Sequence, residues 1–356
     1  MKVLHITSIT HPQGNGVAVA VSNFIKYQSE LTEVAIYNIE SDIDEKNVIS
    51  FNYNKYKSIS SLPSGFSNPD LVVFNEVYKK EYLKLYKECI SKNIPYIIIP
   101  HGCLVKKAQN NKKIKKKIAN FLFFNSFIKC ATALQYLNED EKEKSIFSSQ
   151  RYLISGNGVN APIRKNKPKG KNFVYIGRYD IKVKGLDLLL KTINTNKEWF
   201  EKNNVKIDLY GRASGNGIGE IKKYIEKYSL NEIVSINDAI YGEEKETLLL
   251  NAYTFIQVSR HEGQPMGIME ALAYGLPCIV TYGTNFGKYV NDNECGIGIE
   301  FSEQQLFDAI KQMYNNENIR NEYSNNCEII IKDYEWKNVT KALIHKYKRI
   351  IKERII

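Results

Sequence analysis

The chain has 356 residues, long enough for two domains that each bury a core of their own. Its 43% hydrophobic and 25% charged content excludes a disordered chain, and no apolar run nears the ~18 residues that cross a bilayer as a helix. A formal charge of +11 admits anionic partners, from phosphorylated substrates to a membrane surface, and chooses among none of them.

The opening MKVLHITSIT has no apolar signal-peptide core and reads as a first strand, Val3 to Thr7. A turn from His11 to Gly16 leads into an amphipathic helix with Val17, Val21, Phe24 and Ile25. Strand, glycine loop and helix make a βα unit of a nucleotide-binding type. Gly14 and Gly16 lack a third glycine, and on their own mark a plain turn. Strands are expected at Glu33 to Ile39, Leu71 to Phe74 and Tyr96 to Pro100, with a helix at Tyr82 to Ile90. That alternation calls for a parallel sheet with both faces covered. His101 follows the run IIIP at a strand's carboxyl end, where polar residues point into ligand crevices, although a satisfied turn histidine is commoner.

From His101 to Cys130 there are eight lysines and no acidic residue. Ile114, Ile118, Phe121 and Leu122 fall at helical spacing. Residues 112–129 therefore form either a basic amphipathic helix lying on an anionic membrane or an ordinary helix packing Ile114, Ile118 and Phe121 into the core. Both readings stand at this point. No nucleic-acid recognition module is present, so nucleic acid is not an expected partner. A short strand and turn, Arg151 to Asn160, precede the polar stretch APIRKNKPKGKN, whose composition marks a linker.

The second half opens with a strand at Phe173 to Ile176, a turn at Gly177 and a helical face of Leu186, Leu189, Leu190 and Ile193. Arg178 and Lys184, six positions apart in the intervening loop, suit two phosphoryl groups, one as a bidentate fork and one as a point charge. Further strands are expected at Lys206 to Gly211 and Val234 to Ile236, and helices at Leu306 to Tyr314 and Asn338 to Ile351. Six cysteines lie far apart without a C-x-x-C pair, as in a reducing cytoplasm, and Cys278 reads as a small core residue.

The densest chemistry lies in Ser259 to Thr281. A strand, Tyr253 to Val258, precedes it and another, Pro277 to Thr281, closes it. Between them Pro265 suits a helix's first turn and Gly275 its end. The first-turn amides from Met266 through Gly267 and Ile268 to Met269, with the helix dipole, make a place for a phosphate. Glu262, beside Gly263, sits in the loop facing that place, and Glu270 projects two turns along. Carboxylates on either side of a phosphate site match the hydroxyls of a nucleotide sugar.

EGQPMGIME, with two glutamates separated by seven residues, resembles the E-x7-E signature of retaining glycosyltransferases of family 4. GRYDIKVKG resembles that family's G-R-x5-K-G, and P-H-G at 100–102 and N-G-V-N at 157–160 also follow its pattern. Gln264, Asn160, Thr284 and Lys288 depart from it. The resemblance implies an α/β chain of GT-B fold: two Rossmann-like doubly wound domains across a cleft, residues 1–163 and 164–335, with residues 336–356 returning to the first domain. It implies sugar transfer from a nucleotide diphosphate sugar to an acceptor hydroxyl, with retention and without a metal or cofactor. Glu262 would position the sugar, Glu270 hold the ribose, Arg178 and Lys184 bind the diphosphate, and His101 contact the sugar from the first domain. Gly16 would approach the donor phosphates, and the junction at Tyr241 would touch the base. Asp42-Ile-Asp44 is the D-x-D of a different, metal-using transferase fold, and no metal site is read from it. A carbohydrate or lipid-linked acceptor at the cytoplasmic face of an anionic membrane fits the basic segment. The alternatives are an epimerase of the same fold and a non-catalytic sugar-binding protein.

Overall fold

A computed structural model of the chain describes residues 1–9, 16–40, 48–63, 65–110, 113–160 and 171–355. Gly14, the Asp42-Ile-Asp44 segment and most of the expected linker lie outside the described residues. Two compact units emerge. Met1–Gly158 and Trp336–Ile356 form one, and Val159–Glu335 form the other.

Among the described residues the first unit is built on seven strands: β1 (Lys2–Thr7), β2 (Glu33–Asn38), β3 (Ile49–Asn52), β4 (Leu71–Asn75), β5 (Tyr96–Ile99), β6 (Ala133–Tyr136) and β7 (Tyr152–Ile154). All pair in parallel, in the order β3-β2-β1-β4-β5-β6-β7. Central strands such as LVVFN are apolar without alternation because helices cover both faces. In β1, Leu4 and Ile6 enter one core with Tyr82, Leu85 and Phe127, while Val3 enters the other with Val21, Phe24 and Ile25. The edge strand β3 has no counterpart among the expected strands; it is only partly buried, so its sequence ISFN carries no core signal.

The second core is completed by the Trp336–Ile355 helix. Leu343, Ile344, Tyr347 and Ile350 are buried along it, and Trp336 meets Phe24 edge-on at 4.9 Å and stacks on Tyr27 at 6.2 Å. The Tyr347 hydroxyl donates to Gln135 Oε1 at 2.7 Å, tying the helix to β6.

The other unit has six strands among the described residues: β8 (Asn172–Ile176), β9 (Lys206–Tyr210), β10 (Val234–Asn237), β11 (Thr254–Gln257), β12 (Cys278–Thr281) and β13 (Gly296–Ile299). Their order is β10-β9-β8-β11-β12-β13, again all parallel. Cys278 is fully buried in β12. The strand order reverses at β1/β4 in one sheet and at β8/β11 in the other, and loops at the carboxyl ends of such strands line ligand crevices.

The basic segment carries a π turn within its helical run. It runs as Lys106–Asn110, Lys113–Ala119, a π turn at Asn120–Phe124 and a short helix Asn125–Lys129. The Asn125 amide donates to the Asn120 carbonyl five residues back, so the turn holds one residue more than an α-helix and rotates the side chains downstream of it. Phe124, Phe127 and Ile128 swing inward and are buried. Ile114, Ile118 and Phe121 stay outside, 75%, 54% and 80% exposed, with Leu122 and Phe123 also more than half exposed. The reading that packed Ile114, Ile118 and Phe121 into the core is therefore wrong.

Candidate functional site

In the second unit, the loop after β8 and the loop after β11 meet. Gly185 makes this possible: its φ is +69°, and a Cβ there would lie 1.9 Å from the Val258 carbonyl oxygen. The loops are clamped further along. Arg260 donates to both Asp187 carboxylate oxygens at 2.8 and 2.7 Å and to the Lys182 carbonyl at 2.6 Å, with its guanidinium 4.0 Å above Phe301. The Arg260 amide donates to the Val183 carbonyl at 3.0 Å.

The clamp brings Lys184 Nζ to 2.6 Å from Glu262 Oε1, both side chains about seven-eighths buried at 13% and 12% exposure. Two neutral donors reach the same oxygen: Ser259 Oγ at 2.6 Å and Gln257 Nε2 at 2.8 Å. Glu262 thus has Oε1 fully engaged and its orientation fixed. Its backbone is fixed too, since its amide donates to the Gly283 carbonyl at 3.0 Å and Asn285 Nδ2 donates to its carbonyl at 2.8 Å. Neither Gln257 nor Ser259 stands out in the sequence; each is an ordinary polar residue at the end of a buried strand.

The helix after Glu262 spans Met266–Ala273, with Pro265 just before it as N-cap and Gly275, at φ +65°, just past its end. Its first turn differs from expectation. The Ile268 and Met269 amides both donate to the Pro265 carbonyl, at 3.0 and 3.2 Å, and the Met266 amide donates to Gln264. The wide ψ of 82° at Pro265 turns its carbonyl toward these amides. Gly267 keeps its amide clear of such bonds among the described residues, and a Cβ there would press on the Ile176 carbonyl at 3.2 Å. The Ile268 and Met269 side chains are buried in the core. Gly263 has open space where a side chain would sit.

Glu270, one turn further, holds Lys245 Nζ at 2.6 Å through Oε2. Lys245 comes from the Gly242–Asn251 helix, whose N-cap is the exposed Tyr241, so this pair joins the expected ribose and base positions. Arg178 is exposed on the loop after β8, its carbonyl oxygen accepting from the Tyr175 hydroxyl at 2.8 Å.

His101 belongs to the first unit, at the carboxyl end of β5, and Gly16 begins the Gly16–Ser29 helix of the same unit. His101 (φ 49°) and Gly102 (φ 79°) are both left-handed, a strained conformation for histidine. Glu141, itself buried, holds this turn: its carboxylate accepts from the Gly102 amide at 2.5 Å and the Leu137 amide at 2.7 Å. Burial pushes the Glu141 pKa up against those two bonds. The His101 Nε2 is buried without a hydrogen-bond partner among the described residues, and desolvation lowers its pKa from 6.5 to about 4, so the ring is neutral at pH 7.

Residues 160–328, a little under half of the chain, match the family model described as glycosyl transferases group 1. Crystal structures with the same architecture include Anabaena HepE in complex with UDP and glucose, at a TM-score of 0.73 and 13% identity over 98% of this chain and 99% of that one. WaaG, a glycosyltransferase involved in lipopolysaccharide biosynthesis, gives 0.66 at 15% identity over 96% and 98%. The fold is GT-B. Among proteins similar in sequence, a GDP-mannose:cellobiosyl-diphosphopolyprenol alpha-mannosyltransferase of Xanthomonas campestris is 18% identical over 98% of this chain and 96% of its own length. A phosphatidyl-myo-inositol mannosyltransferase of Mycobacterium leprae is 22% identical over 54% and 52%.

Proposed function

We propose that the protein is a retaining glycosyltransferase that moves a sugar from a nucleotide diphosphate sugar to the hydroxyl of a lipid-linked carbohydrate acceptor. The observation that carries this is the Lys184–Glu262 pair at the carboxyl edge of β8 and β11, with Glu270 one helix away. The match to the glycosyl transferases group 1 model and the lipid-linked acceptors in two relatives' names support it.

The roles follow from charge. The leaving group is a nucleoside diphosphate, and negative charge grows on it as the glycosidic bond breaks. Lys184 keeps two ammonium protons beyond the one given to Glu262, and Arg178 offers an exposed fork; together with the Gly267 amide they stabilise that charge. Donors held in place before reaction supply the largest catalytic contribution in most enzymes. These cations would do what a metal does in other transferases, so transfer is expected to persist after chelator treatment. With Oε1 bound three ways, Glu262 presents Oε2 to the sugar and stabilises its developing positive charge. Glu270 would bind the ribose with the oxygen Lys245 leaves free. Neutral His101 is suited to hydrogen-bond a sugar hydroxyl, its buried Nε2 having no partner among the described residues.

The acceptor side is read from the basic segment. Ile114, Ile118, Phe121, Leu122 and Phe123 are exposed beside Lys106, Lys107, Lys115 and Lys117. An apolar strip flanked by cations fits an anionic bilayer, each lysine near it contributing about 1 kcal/mol.

Thermal-shift titration with UDP-, GDP- and dTDP-sugars should raise the melting temperature for one nucleotide class. Glu262→Ala and Lys184→Ala should each lower kcat/KM for transfer by about a hundredfold or more. Near-normal turnover in either variant rejects the assignment.

A further inference from the structure

The first unit carries an open depression of about 930 Å³ that belongs to neither expected ligand position. Met1 precedes β1, Asp70 precedes β4 and Pro95 precedes β5, and all three line it. Because the strands are parallel, these residues share the amino-terminal edge of the sheet. His101 and the start of the Gly16–Ser29 helix lie at the carboxyl edge, on the opposite side.

Its charge is one-sided. His345, Lys348, Arg349 and Lys352 fall at i, i+3, i+4 and i+7 of the Trp336–Ile355 helix and so occupy one face. Lys92 adds a cation from the C-cap of the Tyr82–Ser91 helix. Compensation is slight. Asp70 is the acidic residue of the lining, against Lys92, Lys348, Arg349 and Lys352, and Arg349 Nε lies 3.7 Å from Glu353 Oε1 with the arginine side chain 72% exposed. Lys348 and Lys352, four apart, and Arg349 and Lys352, three apart, repel one another along the helix.

We propose that this depression binds a soluble anion bearing two or more linked phosphoryl groups. An arginine fork with lysine point charges on both sides is the arrangement that recognises phosphates, and the volume suits a ligand of nucleotide size. The inference does not depend on the glycosyl-transfer reading, because no residue is shared with that site.

The test is calorimetric titration of the full chain with tripolyphosphate, with Arg178→Ala and Lys184→Ala introduced to silence the other phosphate position. One site is expected, weakened by added salt. Lys348→Ala, Arg349→Ala and Lys352→Ala together should weaken it by about tenfold or more. The same loss of charge at exposed Lys222, Lys223 and Lys227, on the other unit, should leave it intact. No binding, equal weakening by both triple substitutions, or unchanged affinity after the first would overturn the proposal. Uptake onto phosphatidylglycerol vesicles with no binding of free tripolyphosphate would overturn it as well.

Discussion

Histidine 5 shows what a single buried group does to stability. Its Nε2 lies 2.9 Å from Gln28 Oε1, and burial, opposed by that bond, takes its pKa from 6.5 to about 4. Below pH 6.5 the unfolded chain takes up a proton that the native state refuses until about pH 4. Stability is therefore fully present above 6.5 and falls as pH drops through that window, and His101 acts in the same direction. Chemical denaturation from pH 7 to 4.5 should show His5→Asn with a shallower acid limb, by up to about 1.4 kcal/mol per pH unit. Identical slopes would show that His5 is not the group responsible. At this scale the sequence was informative where spacing is local. Glu262, Glu270, Arg178 and Lys184 stand in short motifs between recognisable strands and helices. Gln257, Ser259, Lys245 and Glu141 carry no such mark, because what defines them is contact made in space.

Elements are set by the same division. Strands β1, β2, β4, β5, β8, β11 and β12 announce themselves as largely apolar runs between turns, since both sheet faces are covered, and β9 by the alternation of KIDLY. The clamp of Arg260 on Asp187 joins residues 73 apart and has no local signature. Nor does the π turn, because apolar spacing continues smoothly through Asn120–Phe124 while the backbone takes up an extra residue. That extra residue turns Phe124, Phe127 and Ile128 inward. Phe121→Ser, Leu122→Ser and Phe123→Ser together should reduce co-sedimentation with anionic liposomes by about tenfold or more, each lost apolar anchor removing ~1 kcal/mol or more. The fold should persist, because all three side chains are exposed. Unchanged salt-sensitive binding would mean that lysines alone hold the surface.

For the whole molecule, the Trp336–Ile355 helix is structural to the first unit although it comes after the second in sequence. Trp336, Leu343, Ile344, Tyr347 and Ile350 are all 4% exposed or less. At ~1.5–3 kcal/mol per buried side chain, their loss is on the order of 10 kcal/mol, comparable to the entire stability of a domain. A chain ending at Glu335 should lose protection from proteolysis throughout residues 1–158 while 171–335 remain resistant. Retained protection of the first part would show that its sheet needs no cover on that face.

The same arrangement bears on the order of events during synthesis. Domains usually fold as they leave the ribosome, first part first. Here the first 158 residues emerge with one face of their sheet covered only in part, by the Gly16–Ser29 helix, and the Val159–Glu335 unit, whose residues are contiguous, has all its own material before the second covering helix is made. The unit encoded in the middle can close first. The unit begun earliest must wait, its apolar face open to chaperones, until Ile350 has left the tunnel.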